Sequence, residues 1–567
     1  MYAYTEFDRH FVHQRAAQYR DQLQRNLAGQ LNDDDFRPLR LQNGWYIQRH
    51  APMLRIAVPY GELNSTQMRA LARIARDFDR GYGHFTTRQN LQFNWIPLVQ
   101  SADVMEALAD VNMHGIQTSG NCIRNITSDC FAGVAADEIV DPRPYCEILR
   151  QWSTLHPEFA FLPRKFKIAV SGAREDRAAI HWHDIGLQLL KNDAGEVGMK
   201  VLVGGGMGRT PIIGTVAHDF LPWQQMLVFI EAVVRVYNRY GRRDNLYKAR
   251  IKILVKAEGQ KFIDDVNEEF KNILERDLDG SAHIITQAEL DRVSAHFKLP
   301  KGVLPQASRT PSLQAPRDAT PAFKRWLERN VHAHQLTGYR AVTLSLKRAG
   351  QAPGDATDTQ MELAADLADR YSASELRVSH DQNLVLPWVR ESDLPALYEA
   401  ARAASFATPN IGFLTDMIAC PGGDFCGLAN ARSIPIAAAI NERFDDLDEL
   451  YDIGDIDLHI SGCINSCGHH HSGHIGILGV DKDGSEWYQV TLGGSDGSAL
   501  SETAVPGKVI GPSFAADEVP DVIEAVIDTY RDRRAANEKF IDTVKRVGLD
   551  PFKTAANAQR RSTAHAA

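Results

Sequence analysis

The chain of 567 residues has little cysteine, no long apolar run and no surplus of positive charge. Its seven cysteines are odd in number and thinly spread, which argues against a disulfide framework and for metal or catalytic use of a subset. No stretch approaches the roughly 18 uninterrupted apolar residues of a membrane-crossing helix. A formal net charge of -9 and a pI near 6.1 give no electrostatic reason to expect a nucleic-acid or anionic-membrane partner. The opening MYAYTEFDRHFVHQRAAQYRDQLQ has neither the apolar core nor the cleavage pattern of a secretory signal. These absences set the expectation of a cytoplasmic protein with no membrane or nucleic-acid partner. The length calls for several domains.

What is present is a repeat. STQMRALARIARDFDRGYGHFTTRQNLQFNW, from residue 65, aligns without a gap on DTQMELAADLADRYSASELRVSHDQNLVLPW, at a constant offset of 293. Each copy reads as an amphipathic helix followed by a short strand, with the apolar period changing from helical to two. A looser second repeat follows each copy: KFKIAVSG, HDIGLQLL and GMKVLVGGGMG recur as DLHISGC, GHIGILGV and WYQVTLGGSDG. The expected division is an N-terminal arm (1–50), a first half-domain (51–118) and a first α/β domain (119–298). A Pro- and Ser-rich linker (299–325), a second half-domain (326–408), a second α/β domain (409–532) and a tail (533–567), helical and then disordered by composition, complete it.

Four cysteines lie within 48 residues: Cys420 and Cys426 in IACPGGDFCGLANARS, Cys463 and Cys467 in SGCINSCGHHHSGH. Four thiolates in two close pairs suit either a tetrahedral zinc or a [4Fe-4S] cluster. The gap between Cys420 and Cys426 is wide for a zinc knuckle, which must aim both sulfurs at one ion, and it favours a cluster. Among the other cysteines, Cys122 sits beside Arg124, and Cys130 and Cys146 read as buried packing residues. The adjacent His469, His470 and His471 cannot all aim at one ion, and read as the lip of the metal site.

Together with TTRQN, NCIRN, LPRKFK and VGGG, these spaced cysteines resemble the sirohaem-containing sulfite and nitrite reductases, over about residues 40 to 530. One departure is visible, since members commonly have Cys-Pro-Asn-Gly-Cys where this chain has Cys463-Ile-Asn-Ser-Cys467. The resemblance implies an α+β fold in which duplicated, pseudo-two-fold ferredoxin-like half-domains form one central domain, with two α/β domains binding sirohaem and cluster. It implies a [4Fe-4S] cluster on Cys420, Cys426, Cys463 and Cys467, with Cys467 shared with the sirohaem iron and Asn465 beside it. It also implies an active-site cation set, Arg88, Arg124, Lys165 and Lys167, of which the two arginines also face the cofactor.

Sirohaem carries many carboxylates and its substrates are oxyanions, so cations are the side chains such a site needs. Lys165 and Lys167, two apart on an extended chain, point to one face, an arrangement odd for a structural strand and apt around an anion. At the repeat offset Arg88 faces Asp381, so the fold itself does not demand an arginine there. Gly204, Gly205 and Gly206 suit close backbone approach to a flat macrocycle, with Arg209 as a further carboxylate contact. No flavin or nicotinamide fingerprint occurs, so electrons must come from a partner, a ferredoxin or a flavoprotein reductase subunit. The expected reaction is six-electron reduction of sulfite to sulfide in sulfate assimilation, with nitrite reduction to ammonia as the alternative and a non-catalytic iron-sulfur or zinc-stabilised protein as the distant one.

Overall fold

The computed structural model describes residues 4–50, 52–276, 283–304, 319–498 and 503–561. Helices Ser65–Phe78 and Asp358–Tyr371 start and stop at equivalent positions of the repeat. Each opens on a capping box, Asn64 with Gln67 and Thr357 with Gln360, which satisfies two of the N–H groups a helix start leaves open. Their inner faces, including Met68, Leu71, Met361 and Ala365, are buried in one shared core. Their outer edges are tied by Arg69 to Asp366 and Asp369 and by Arg76 to Asp358 and Glu362.

Under these helices lie two five-stranded sheets. The first runs Trp45–Ile47, Pro52–Ile56, Leu91–Phe93, Tyr82–Phe85 and Asp355–Thr357; the second runs Val331–His332, Tyr339–Leu344, Leu384–Arg390, Glu375–Val378 and Glu62–Asn64. The last strand of each sheet comes from the opposite half, so the halves exchange strands and neither sheet is complete alone. The exchange is locked by two glutamines in the left-handed region, Gln89 at φ 55° and Gln382 at φ 61°. Gln89 Nε2 donates to the Val378 carbonyl, and Gln382 Nε2 to the Phe85 carbonyl, each at 2.9 Å. Their Oε1 atoms accept from Ser128 N and Ala419 N, the first residues of the outer domains to be gripped.

The outer domains share a five-strand order, to which the second adds Phe514–Ala515 beside Ser485–Leu492. Thr127–Ser128, Ile168–Ser171 and Ile185–Lys191 are parallel, followed by antiparallel Val197–Val203 and Thr215–Pro222. Ile418–Ala419, Leu458–Ser461, Ile475–Lys482, Ser485–Leu492 and Lys508–Val509 repeat that order and those directions. Each sheet has its own apolar core, one backed by Met226–Tyr240 and the other by Val519–Arg533.

The N-terminal end differs from the sequence expectation, and the tail is helical as expected, its residues 562–567 lying outside the described residues. The segment read as an arm contains helices Glu6–Leu27 and Asp33–Gln42, which bury Tyr19, Leu23 and Phe36 in the central core. In the tail, helices Phe540–Val547 and Asp550–Ala558 bury Phe540, Val544 and Phe552 in the second outer core. In both places a few apolar residues at helical spacing outweigh a polar composition. Of the expected linker, residues 305–318 lie outside the described residues, and helix Pro321–Asn330 starts near its end. No described helix is long and apolar enough to cross a membrane.

Gln382→Ala removes an acceptor and a donor that reach three buried backbone groups, at a cost of about 3 kcal/mol. Its thermal unfolding midpoint should fall by several degrees, whereas Leu363→Ala, at a position 37% exposed, should leave the midpoint unchanged.

Candidate metal and anion site

The cysteine loops leave the carboxyl ends of two parallel strands of the second outer sheet. Cys420 follows Ile418–Ala419, and Cys463 follows Leu458–Ser461. The loops cross at glycines that admit no side chain: a Cβ on Gly468 would stand 1.9 Å from the Ile460 carbonyl oxygen, and one on Gly462 would stand 2.5 Å from that of Ala431. The Cys463–Cys467 turn needs a left-handed residue, and Ser466 supplies it at φ 55°, so the turn survives without the glycine common in the family. Gly462 N–H points at Cys420 Sγ at 3.2 Å, with Ser433 Oγ 3.6 Å away, donors that stabilise a thiolate. Burial pushes the Cys420 thiol up to about 12 in the absence of a metal charge.

Cys420, Cys426 and Cys463 each feel the charge of Cys467, which is itself exposed towards the site. Asn465 reaches the Cys463 thiol. Among the described residues, no three His, Cys, Asp or Glu side chains converge on a single ion. Two loops that bring Cys420, Cys426 and Cys463 within electrostatic reach of Cys467 suit a cubane, whose irons occupy separate corners. Cys130 and Cys146 are buried in apolar clusters, and Cys122 donates to the Ser119 carbonyl.

Facing Cys467 is a crowd of cations from the first half. Phe166 is fully buried while Lys165 and Lys167 on either side are half-buried, so both ammonium groups share one face. Both interact electrostatically with Cys467. Burial, reinforced by neighbouring cations, lowers Lys165 to about 8 and Lys167 well below the usual lysine range.

Arg88 is buried and already anchored: it donates to Thr127 Oγ1 at 2.6 Å, to the Asn125 carbonyl at 2.6 Å and to His183 Nε2. Its burial brings it down to about 9. His183 Nδ1 donates to the Ala179 carbonyl, leaving Nε2 as the acceptor. Arg124 is half-buried and holds the carbonyls of Thr118 and Gly120.

The glycine loop packs against other parts of the same domain. A Cβ on Gly205 would stand 2.4 Å from the His181 carbonyl oxygen, and one on Gly206 (φ 153°) 2.9 Å from Arg250; Gly204, at φ 81°, presses on Val255. Arg209 is exposed beside it. Sequence reasoning missed three residues here, Asp184, Arg250 and Lys252. Lys252 is buried and holds the Met207 and Thr210 carbonyls, and burial lowers it to about 7. The only signal for the two cations was the run KARIK, which gave no indication of position.

The two halves meet at this point. Thr87 Oγ1 donates to the Cys467 carbonyl at 2.9 Å, His471 Nε2 donates to the Gly208 carbonyl at 2.9 Å, and His380 Nδ1 donates to the Thr87 carbonyl. The histidine run is therefore not a lip. His470 is fully buried and His469 nearly so, because Ser466 and His469, both left-handed, turn the chain inward on either side of Cys467.

The chain matches the model of the nitrite and sulphite reductase 4Fe-4S domain over residues 119–274 and 413–563. It matches that of the nitrite/sulfite reductase ferredoxin-like half domain over 46–111 and 333–404. It belongs to the nitrite and sulfite reductase family. With the family come its oxidoreductase activity and its cofactors, sirohaem and a [4Fe-4S] cluster.

Sulfite reductase [ferredoxin] 1 of Mycolicibacterium paratuberculosis is 26% identical over 500 residues, covering 86% of this chain and 81% of that protein. The chloroplastic ferredoxin-nitrite reductase of Arabidopsis thaliana is 28% identical over 492 residues, covering 84% and 76%. The solved structure of Mycobacterium tuberculosis NirA superposes with a TM-score of 0.73 over 92% of both chains at 24% identity, which shows the shared fold.

Cys426→Ser should lose iron and acid-labile sulfide, measured on the purified protein. Cys130→Ser, packed beside Val134 and Trp388 in a separate apolar cluster, should keep both.

Proposed function

We propose that the chain reduces sulfite to sulfide, taking six electrons one at a time from a ferredoxin, in the cytoplasm, as a step of sulfate assimilation. The observation that carries the reading is the gathering of Lys165, Lys167, Arg88 and Arg124 in one electrostatic neighbourhood, with both lysines sensing Cys467. A pyramidal dianion with three oxygens engages more cations than bent, singly charged nitrite, which favours sulfite. A ferredoxin donor is supported by relatives named for it and by the lack of any flavin or nicotinamide fingerprint.

In this reading Cys420, Cys426, Cys463 and Cys467 would hold the cluster, Cys467 also serving the sirohaem. Gly204, Gly205, Gly206, Arg88, Arg124 and Arg209 would hold the macrocycle, the arginines through its carboxylates. When bound, the sirohaem supplies the iron at which sulfur or nitrogen is reduced, and the cluster supplies its electrons.

The residues of the chain do the rest. Arg88, fixed by Thr127, Asn125 and His183, presents a cation that pays no reorganisation cost when charge develops on the substrate. Lys165 and Lys167 bind the oxyanion and give protons to departing oxygens, a role suited to ammonium groups that burial has made more acidic. Asn465 steadies the Cys463 end of the cluster loop.

With a chemical reductant, kcat/KM should be larger for sulfite than for nitrite; the reverse order would make the protein a nitrite reductase. The profile for the preferred anion should fall as pH rises through about 8, where Lys165 loses its proton. Lys165→Gln should lower kcat/KM by about 10²–10³-fold and remove that limb.

A further inference from the structure

Within the cation crowd stands one carboxylate, Asp184, fully buried at the start of Ile185–Lys191. Its Oδ2 accepts the Lys167 N–H at 2.8 Å. Both oxygens take the Arg250 guanidinium, Oδ1 at 2.7 Å and Oδ2 at 2.9 Å. Its backbone carbonyl accepts Gly204 N–H at 2.9 Å, and Ile185 N–H closes on the Lys167 carbonyl at 3.1 Å. One residue thus holds the lysine strand, an arginine and the glycine loop. Its charge also acts on Arg88 and Lys252.

The second half contains the same pin with different chemistry. His474 Nδ1 accepts the Asp457 N–H at 3.2 Å. The His474 carbonyl accepts Gly493 N–H at 2.9 Å, and Ile475 N–H closes on the Asp457 carbonyl at 3.0 Å. Asp184, Lys167, Ile185 and Gly204 correspond one for one to His474, Asp457, Ile475 and Gly493. Burial drives His474 down to about 3, so it is neutral. A neutral acceptor therefore suffices to pin the strand, and the negative charge of Asp184 is extra to that duty.

We propose that Asp184 is the positioning residue of the anion pocket, holding Lys167 and Arg250 in place while its charge offsets the surrounding cations and weakens the pocket's grip on anions. The weakening has a use: a site crowded with Arg88, Arg124, Lys165, Lys167, Arg250 and Lys252 would hold small oxyanions longer without the charge of Asp184, and turnover requires release. The inference rests on the reading of this pocket as the anion site.

The test is calorimetric titration of the cofactor-loaded protein with inorganic phosphate, which has no redox chemistry here, at low and high salt. Asp184→Asn keeps an acceptor for the Lys167 N–H and removes the charge, and should bind phosphate roughly 3- to 10-fold more tightly, with a steeper loss on adding salt. Asp184→His, copying the second half, should do the same, and Asp184→Glu should resemble the parent protein. Unchanged or weaker phosphate binding in both Asn and His variants that retain the parent absorption spectrum would overturn the role of the charge. Failure of any Asp184 variant, Glu included, to take up cofactors would overturn the separation of pin from charge. If phosphate binding follows these expectations but neither sulfite nor nitrite is reduced, the substrate reading alone fails.

Discussion

Everything in this molecule hangs on the exchange of two three-residue strands between its halves. Glu62–Asn64 completes the sheet of the second half, and Asp355–Thr357 that of the first. The exchange brings Gln89 and Gln382 to the pseudo-two-fold axis, where each holds the other half's strand with one end of its amide and an outer domain with the other. The outer domains are therefore fixed to a single frame and not tethered independently. That frame allows Thr87, on the first half, to hold the carbonyl of Cys467 on the second. Exposure of unpaired edges would make either half alone prone to wrong pairings.

A duplicated fold has two equivalent places for a site, and the charges decide between them. Arg88 corresponds to Asp381, Asn125 to Asp416 and Lys167 to Asp457, so the cationic pocket of one half is acidic in the other. Burial and neighbouring carboxylates raise Asp381 to about 7 and Asp457 well above the usual range. Cations for a polyanionic macrocycle therefore gather in the first pocket and not at the equivalent positions of the second. Asp184 and its neutral counterpart His474 show the same division at a single backbone pin. Charge changed around a retained scaffold, because the scaffold asks only for hydrogen-bond acceptors.

Much of this was legible in the sequence. The repeat offset placed an amphipathic helix at the same point of each half, and Ser65–Phe78 and Asp358–Tyr371 follow it, because a long amphipathic pattern is a strong signal. The alternation of Lys165, Phe166 and Lys167 placed two ammonium groups on one face, and spacing alone set Cys420, Cys426, Cys463 and Cys467 apart from the packed Cys130 and Cys146. The exchanged strands were not legible, since three residues carry no period. Asp184 looked like an ordinary turn acid before a strand, and nothing local reveals that Arg250 folds back onto it. The histidine run misled because polar residues were expected to face water, whereas two left-handed residues after Cys463 turn it inward. The packed N-terminal helices were hidden by a polar composition that pattern, rather than average, would have corrected.

The central claim is that one chain assembles a single cofactor pair, with the cationic pocket of the first half facing the thiolates of the second. Metal and pigment analysis of the purified protein tests it directly. It should contain about five iron atoms per chain, a single extractable sirohaem and no zinc. Zinc in place of iron, or sirohaem in two copies per chain, would contradict it.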